Sequence, residues 1–446
     1  MEAAARLRAA VESAASGLVE REAVAEAIAL CAVAGEHLLL IGPPGTAKSE
    51  AARRMAKTLD GSYFEYLLGR FTEPSELFGP IDLRRLREGI VETETSGMLP
   101  EAELAFLDEI FLGSTAILNT LLAILNERTF RRGSTQLAVP LRLCIGASNA
   151  LPDEGALAAF ADRFLVRLFL DPVADALLED LLEQGWNRQR LAPEPLATLA
   201  DLDRLSAACA RVELASIRPT LAQALRTLRQ AGVTLSDRRA VRTQRLIAAA
   251  ATLAGRTEAT PADLWPLIYA VPTRDEQALA REALRPLLAA TENAALPHAA
   301  EEASLGPLAR AQRLSGGIKK LLAAPPDTPD ALAPWKLRLE GALREIDAGL
   351  FRAPHVGGGD DFQKRRAGPV EIDPRIRLAG NLVVQTLARI LLQVCPDDAD
   401  PLGRELLFRI ADLQPPVLRH RQIVLADLIP LRQVRIEIVL SVPLGI

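Results

Sequence analysis

Eight consecutive residues, Gly42-Pro43-Pro44-Gly45-Thr46-Ala47-Lys48-Ser49, have the types and spacing to hold a triphosphate. They follow the apolar run His37–Ile41 and lead into a helix-forming stretch, Glu50–Ala56. In a strand–loop–helix setting the glycines let main-chain N–H groups turn inward onto phosphate oxygens, and the helix start adds partial positive charge. Lys48 is placed to reach the β- and γ-phosphates, Ser49 to hold Mg²⁺ through its hydroxyl, and Glu50 closes the segment around the nucleotide. Ala47 stands where glycine commonly precedes the lysine. The expectation is that this position already has helical, negative φ, where a Cβ costs little.

A second apolar run, Leu104–Asp108, ends in the carboxylate pair Asp108-Glu109, as a buried parallel strand delivering acids to its C-terminal edge would. Asp108 is expected to hold Mg²⁺ through water, and Glu109 to polarise the water that attacks the γ-phosphate. A third run, Leu141–Ser148, ends at Asn149, whose amide suits the attacking water or the γ-phosphate. Together these elements describe an ATPase that uses ATP and Mg²⁺.

With those residues in place the chain resembles the MoxR family of AAA+ ATPases, and within it the RavA branch. The likeness is carried by GPPGTAKSEAARRMA (42–56), FEYLLGRFTEPSELFGPIDL (64–83), residues 95–133 and 141–171, and LSDRRAVRTQRLIAAAATLAGRTEATPADL (235–264). It covers about residues 18 to 275 and includes the alanine before the lysine; no family signature is visible beyond about 300. The resemblance implies an α/β core with a five-stranded parallel sheet between helices, an α-helical lid and a homo-hexameric ring. The residue patterns agree independently: apolar strand-like runs at 37–41, 63–68, 104–108, 142–147 and 164–170 alternate with helical stretches. Hairpins are expected within Pro80–Pro100, where the family carries an insert that projects into the ring pore, and at Thr129–Pro140 around Arg132-Gly133-Ser134.

A ring ATPase that hydrolyses only when assembled needs a cation supplied by its neighbour. Ala161-Asp162-Arg163-Phe164 matches the family's DRF element, which makes Arg163 the expected arginine finger ahead of Arg167 and Arg128. In the lid, Ser236 or Asp237 is expected to cap a helix, and Arg238 aligns best with the family's cis-acting sensor arginine, with Arg239 as the alternative. Only six lysines accompany the arginines among 52 basic residues, so motif context, not residue type, carries these assignments.

The global numbers bound the rest. A chain of 446 residues exceeds one core. The expected division is a 1–172 nucleotide-binding core, a 173–290 helical lid, a 291–352 Pro-spaced extension, and a 353–446 linker with an accessory module of mixed or uncertain structure. The apolar windows Ala25–Gly35 and Leu246–Gly255 are too short to span a bilayer and read as buried helices. No secretion signal is evident, and Cys31, Cys144, Cys209 and Cys395 read as buried free thiols, which points to the cytoplasm. Scattered histidines offer no metal site, and there is no Cys–His or Ser–His arrangement for proteolysis. The family resemblance implies a chaperone that remodels or activates a protein client, or inserts a metal cofactor, often with a von Willebrand factor A domain partner. A nucleic-acid motor is the competing enzyme class. Net charge of −5 and 4% aromatics weigh against it. A nucleotide-gated scaffold with little turnover is the third reading.

Overall fold

The computed structural model describes residues 2–152, 155–187 and 193–310, with single helical positions between 313 and 342. The chain parts into two units, Met1–Gly357 and Gly358–Ile446. The second unit lies outside the described residues, and with it Cys395, the helix expected at Ile376–Val394 and the strands expected within 422–442. The helices expected at 308–322 and 330–350 fall mostly outside them too.

Among the described residues seven strands form in chain order: β1 (Leu38–Ile41), β2 (Tyr63–Leu67), β3 (Leu104–Asp108), β4 (Thr129–Arg132), β5 (Thr135–Ala138), β6 (Leu143–Ser148) and β7 (Val166–Phe169). Five of them make one parallel sheet in the order β2-β3-β6-β1-β7. Each matches an apolar run expected from the sequence to within two residues. Successive side chains point to opposite faces, and the core obeys that period. Leu38, Leu40, Phe106 and Ile145 join one buried cluster, whereas Leu39, Ile41, Leu107 and Cys144 join the other. A strand buried on both faces reads as an unbroken apolar run, which is why these segments show no alternation.

Two alanine-rich helices, α1 (Glu2–Ala15) and α2 (Glu22–Ala34), precede the sheet, and α2 is buried along its whole length from Ala23 to Ala34. The helix α3 (Lys48–Thr58) follows the phosphate loop. Next come α4 (Pro74–Phe78) and α5 (Leu83–Arg87). Helix α6 (Thr115–Glu127) leads from the acidic pair to the β4–β5 hairpin, and α7 (Ala156–Ala161) joins β6 to β7.

Both expected hairpins exist. The first is a stem in which Ile81 pairs antiparallel with Thr93, with α5 at its tip rather than a simple turn. Asp82 forms that one-turn helix by accepting the N–H groups of Arg84 and Arg85. The stem is bonded to the β4–β5 turn: Ser134 N–H donates to the Val91 carbonyl at 2.9 Å, and Thr93 N–H to Thr135 Oγ1 at 2.8 Å. Gly133 is needed at that junction, because a Cβ there would sit 2.6 Å from the Val91 oxygen, with φ at +61° besides.

After the sheet come α8 (Leu178–Asn187), α9 (Leu199–Cys209), α10 (Arg218–Gln230), α11 (Asp237–Leu253), α12 (Pro266–Tyr269) and α13 (Arg274–Ala283), in the stretch where the helical lid is expected. Ser236 caps α11 by accepting the Arg239 N–H, and Thr260 with Asp263 forms a capping box around Pro261. Cys31, Cys144 and Cys209 are buried free thiols. Among the described residues no helix is long and apolar enough to cross a membrane.

His37, one residue ahead of β1, is buried at the N-terminal edge of the sheet. Its Nδ1 accepts the Cys144 N–H at 3.0 Å, so the ring proton sits on Nε2, 3.1 Å from the Leu125 carbonyl. Burial, reinforced by the Arg128 guanidinium, pulls the His37 pKa well below its usual 6.5. The unfolded chain therefore binds a proton below about pH 6.5 that the folded chain refuses, and stability should fall by about 1.4 kcal/mol per pH unit beneath that point. His298, raised by its bond to Glu26, acts in the opposite sense: its contribution is present below its unfolded pKa and fades as pH rises. That site is half-exposed and screened, so His37 sets the slope. Urea titrations from pH 7.5 to 5 should show the slope in the wild type and a flatter dependence in His37→Gln.

Candidate active site

The phosphate loop, the acidic pair and Asn149 stand where the chain leaves the C-terminal ends of β1, β3 and β6. Gly42 follows β1, and its N–H donates to the Ser148 carbonyl at 3.1 Å, tying the phosphate loop to the end of β6. Gly42 also has no room for a side chain: a Cβ would lie 2.5 Å from the Leu170 oxygen. Pro43, Pro44 and Gly45 form the exposed crest of the loop, Gly45 at φ +79°. Thr46 is buried, and its hydroxyl donates to the Pro43 carbonyl at 2.9 Å.

Ala47 departs from expectation. It adopts φ +61°, ψ 28°, a left-handed conformation, and not the helical one. It caps α3 from outside the helix, so the loop must reverse its winding there, and an alanine accepts that at about 1 kcal/mol where glycine would not object. Ala47 also offers α3 no side-chain acceptor. The start of α3 is thus left for an anion, which is the observation that fits a phosphate to this loop.

Lys48 is 7% exposed, and its ammonium bonds back to the carbonyls of Gly42 and Pro43 at 2.7 and 3.0 Å. Burial pulls its pKa below the usual lysine range, with the charges of Asp108 and Glu109 acting against the shift. Lys48 and the acidic pair are therefore within electrostatic reach of one another. Ser49 and Glu50 follow in the first turn of α3, Glu50 bonded to Arg53.

Asp108 closes β3, and its Oδ1 accepts the Glu109 N–H at 3.0 Å. Glu109 is held at φ 48°, ψ 45°, left-handed for a non-glycine residue. Such strain persists only where the surroundings impose it. Asn149, the last expected member of the site, meets the side chain: its amide donates to Glu109 Oε1 at 2.6 Å. Before any substrate arrives, Asn149 aims the carboxylate.

The arginines lie elsewhere. β1 and β7 are parallel, and Val166 N–H donates to the His37 carbonyl, so residues 163–165 stand at the N-terminal edge, a strand length from the phosphate loop. Arg163 is there, half-buried, its Nε without a hydrogen-bond partner among the described residues. Arg167 and Arg128 are engaged within the fold: Arg167 donates to the Pro272 carbonyl, and Arg128 to the Leu125 carbonyl.

Arg238 requires a correction. It donates to Asn126 Oδ1 at 2.7 Å, near the C-terminus of α6 and next to the residue whose carbonyl meets His37. That is the edge opposite the phosphate loop, so Arg238 does not read the nucleotide of its own subunit. Arg239, the alternative, is 2% exposed and bonded entirely within the protein. The reason is the seating of the lid: α11 starts against this edge, where buried Glu36 pairs with Arg242 and Arg245. Nothing in the local sequence of Ser236–Arg239 specifies on which side of the sheet that helix begins.

Sequence reasoning also passed over Arg21. It is 5% exposed, and it donates to the Thr46 carbonyl at 2.8 Å and to the Asp171 carbonyl at 2.9 Å. It thereby fixes the phosphate loop to the exit of β7. A lone arginine before a helix carries no signal by which it might have been found. Among the described residues no cluster of His, Cys, Asp and Glu is arranged to hold a metal by itself; beside a bound triphosphate Ser49 would hold Mg²⁺ through its hydroxyl and Asp108 through water.

Comparison with known proteins agrees with this geometry. Residues 5–207 match the model of the MoxR domain in MoxR–vWA–β-propeller ternary systems, and residues 213–281 match an AAA lid domain. Two uncharacterized proteins of Methanocaldococcus jannaschii are 36% and 38% identical over 239 residues, 53% of this chain. The match spans 64% and 62% of those two relatives, less than two thirds of either. A crystal structure from Cytophaga hutchinsonii, of a protein provisionally named an ATPase, superposes with a TM-score of 0.54 at 17% identity, covering 65% of this chain and 96% of that one. That likeness bears on the fold alone. Through residues 5–281 the chain is thus similar to MoxR-type AAA+ ATPases, first in the MoxR domain and then in the AAA lid.

Proposed function

We propose that the protein is a Mg²⁺-dependent ATPase that works as a homo-hexameric ring and remodels or activates a protein client, with metal-cofactor insertion as one form of that work. The observation that carries the reading is the convergence of Lys48, Asp108, Glu109 and Asn149 on one sheet edge, with Glu109 already aimed by Asn149. Bound ATP and Mg²⁺ supply the phosphoryl group and the charge that neutralises it. The chain's own part is to cradle the phosphates on residues 42–49 and hold the metal at Ser49 and Asp108. Glu109 accepts a proton from the attacking water.

What supports a ring is that Arg163 and Arg238 both stand on the edge away from their own phosphate loop, so any phosphate they meet belongs to another subunit. The description of the matching family model supports a search for a von Willebrand factor A domain partner, and the likeness to the RavA branch points the same way. A cytoplasmic setting fits the buried thiols.

The test is turnover per subunit measured against protein concentration. It should rise as oligomers assemble, in step with mass photometry, and remain unchanged on addition of single-stranded DNA. Turnover that is independent of assembly would overturn the ring reading, and strong salt-sensitive DNA binding would favour the nucleic-acid motor.

A further inference from the structure

The lid and the core meet at Arg239 in a way that a mere fastening does not require. Its guanidinium donates to four acceptors: the Ala270 carbonyl at 2.8 Å, Asp162 Oδ1 at 3.0 Å, the Phe164 carbonyl at 3.2 Å and the Leu165 carbonyl at 2.6 Å. Three of the four flank Arg163 in sequence, one residue before it and two after. The same short segment is pinned from within by Arg163 N–H on the Phe160 carbonyl and Phe164 N–H on the Ala161 carbonyl.

Arg163 itself is the exception inside this grip. Its guanidinium makes no hydrogen bond or ion pair to another described residue, and its Nε is buried without an acceptor. With no protein partner among the described residues, and only half buried, the Arg163 guanidinium is available to an anion from outside the chain. Fastening of the lid is already provided one turn along α11, where Arg242 and Arg245 meet Glu36.

We propose that Arg239 is a positioning residue that holds Arg163 in register with the terminal phosphoryl group of a nucleoside triphosphate bound to the adjoining subunit. The proposal rests on the ring reading above. It makes the start of the lid helix part of the neighbour's active site, because the backbone that presents Arg163 is held by a lid side chain. A displacement of about 1 Å in such a group costs on the order of 100-fold in rate.

The experiment uses full-length chains in pure and mixed assemblies. Arg239→Gln alone should lower kcat by about 10- to 100-fold with ATP KM within about 2-fold of wild type and the oligomer intact. Mixed equally with Lys48→Ala, whose own site is dead but whose Arg163 is properly held, it should recover about a quarter of wild-type turnover. Each site is built from two neighbours, and half of each kind is competent. Mixed with Arg163→Ala it should recover nothing, since both variants lack the same half. Asp162→Ala, which removes one of the four acceptors at a half-exposed position, carries the same pattern where Arg239→Gln does not fold.

If Arg163→Ala with Lys48→Ala recovers activity but Arg239→Gln or Asp162→Ala with Lys48→Ala does not, Arg239 serves only its own subunit and the proposal is overturned. Wild-type kcat in both variants overturns it as well. If Arg163→Ala with Lys48→Ala recovers nothing, the ring reading itself has failed and the role of Arg239 falls with it.

Discussion

Glu109→Gln should bind ATP within a few-fold of the wild type and turn it over about 10²- to 10⁴-fold more slowly, the span that a positioned general base contributes. The glutamine keeps an oxygen for the Asn149 amide, so the 2.6 Å contact survives and the loop stays in place. What is lost is the charge that accepts a proton. Glu109→Gly should be as inactive and yet no less stable. At φ 48° the glutamate holds about 1–2 kcal/mol of left-handed strain that glycine releases, set against about 1 kcal/mol of extra unfolded-chain entropy. Single-turnover kinetics with labelled ATP and urea unfolding of the two variants separate the terms. A glycine variant less stable than the wild type by more than about 1 kcal/mol would show that the strain is not there. Turnover near wild type in the glutamine variant would remove Glu109 from the chemistry.

The strain at Glu109 also marks the limit of what the chain discloses before it folds. Strand positions were legible because a sheet covered on both faces demands continuous apolar runs, and the runs ending at Ile41, Asp108 and Ser148 have no other use. The phosphate loop, the acidic pair and Asn149 were legible for the same reason: each is the residue on which such a run stops. Dihedral angles were not. Ala47 reads as an ordinary helix start, and only the need to reverse the chain between Gly45 and α3 puts it at φ +61°. Arg238 and Arg239 were equally opaque, because their meaning depends on which edge of the sheet the lid adopts. That choice is made by contacts between residues some 200 positions apart, Glu36 with Arg242 among them. Arg21 was missed because a side chain whose partners are the carbonyls of Thr46 and Asp171 leaves no pattern in sequence. Local pattern thus disclosed the edge that carries the phosphate loop, the acidic pair and Asn149, and tertiary contact alone disclosed the edge where Arg163 and Arg238 stand.

That second edge carries the largest expected effect on stability. Glu36 is fully buried, and its carboxylate pairs with Arg242, itself 19% exposed, and with Arg245, 65% exposed. Removing one partner of a buried ion pair costs about 3–5 kcal/mol when the other is stranded. Here both arginines have a path to water, so Glu36→Ala should cost less, about 2–3 kcal/mol, most of it from the carboxylate's lost partners and the cavity it leaves. Glu36→Gln should cost less again, since the amide oxygen still accepts from Arg242. Urea unfolding monitored through Trp265, buried against Tyr269 in the lid, reads this directly. The position of Glu36 also predicts what should not change. The phosphate loop leaves β1 at its other end, so ATP affinity at low temperature, where the variant is folded, should remain within about 2-fold of the wild type. A loss below about 0.5 kcal/mol in Glu36→Ala would mean that the lid is seated by its apolar face alone, and α11 would then be free to carry Arg238 and Arg239 to other positions.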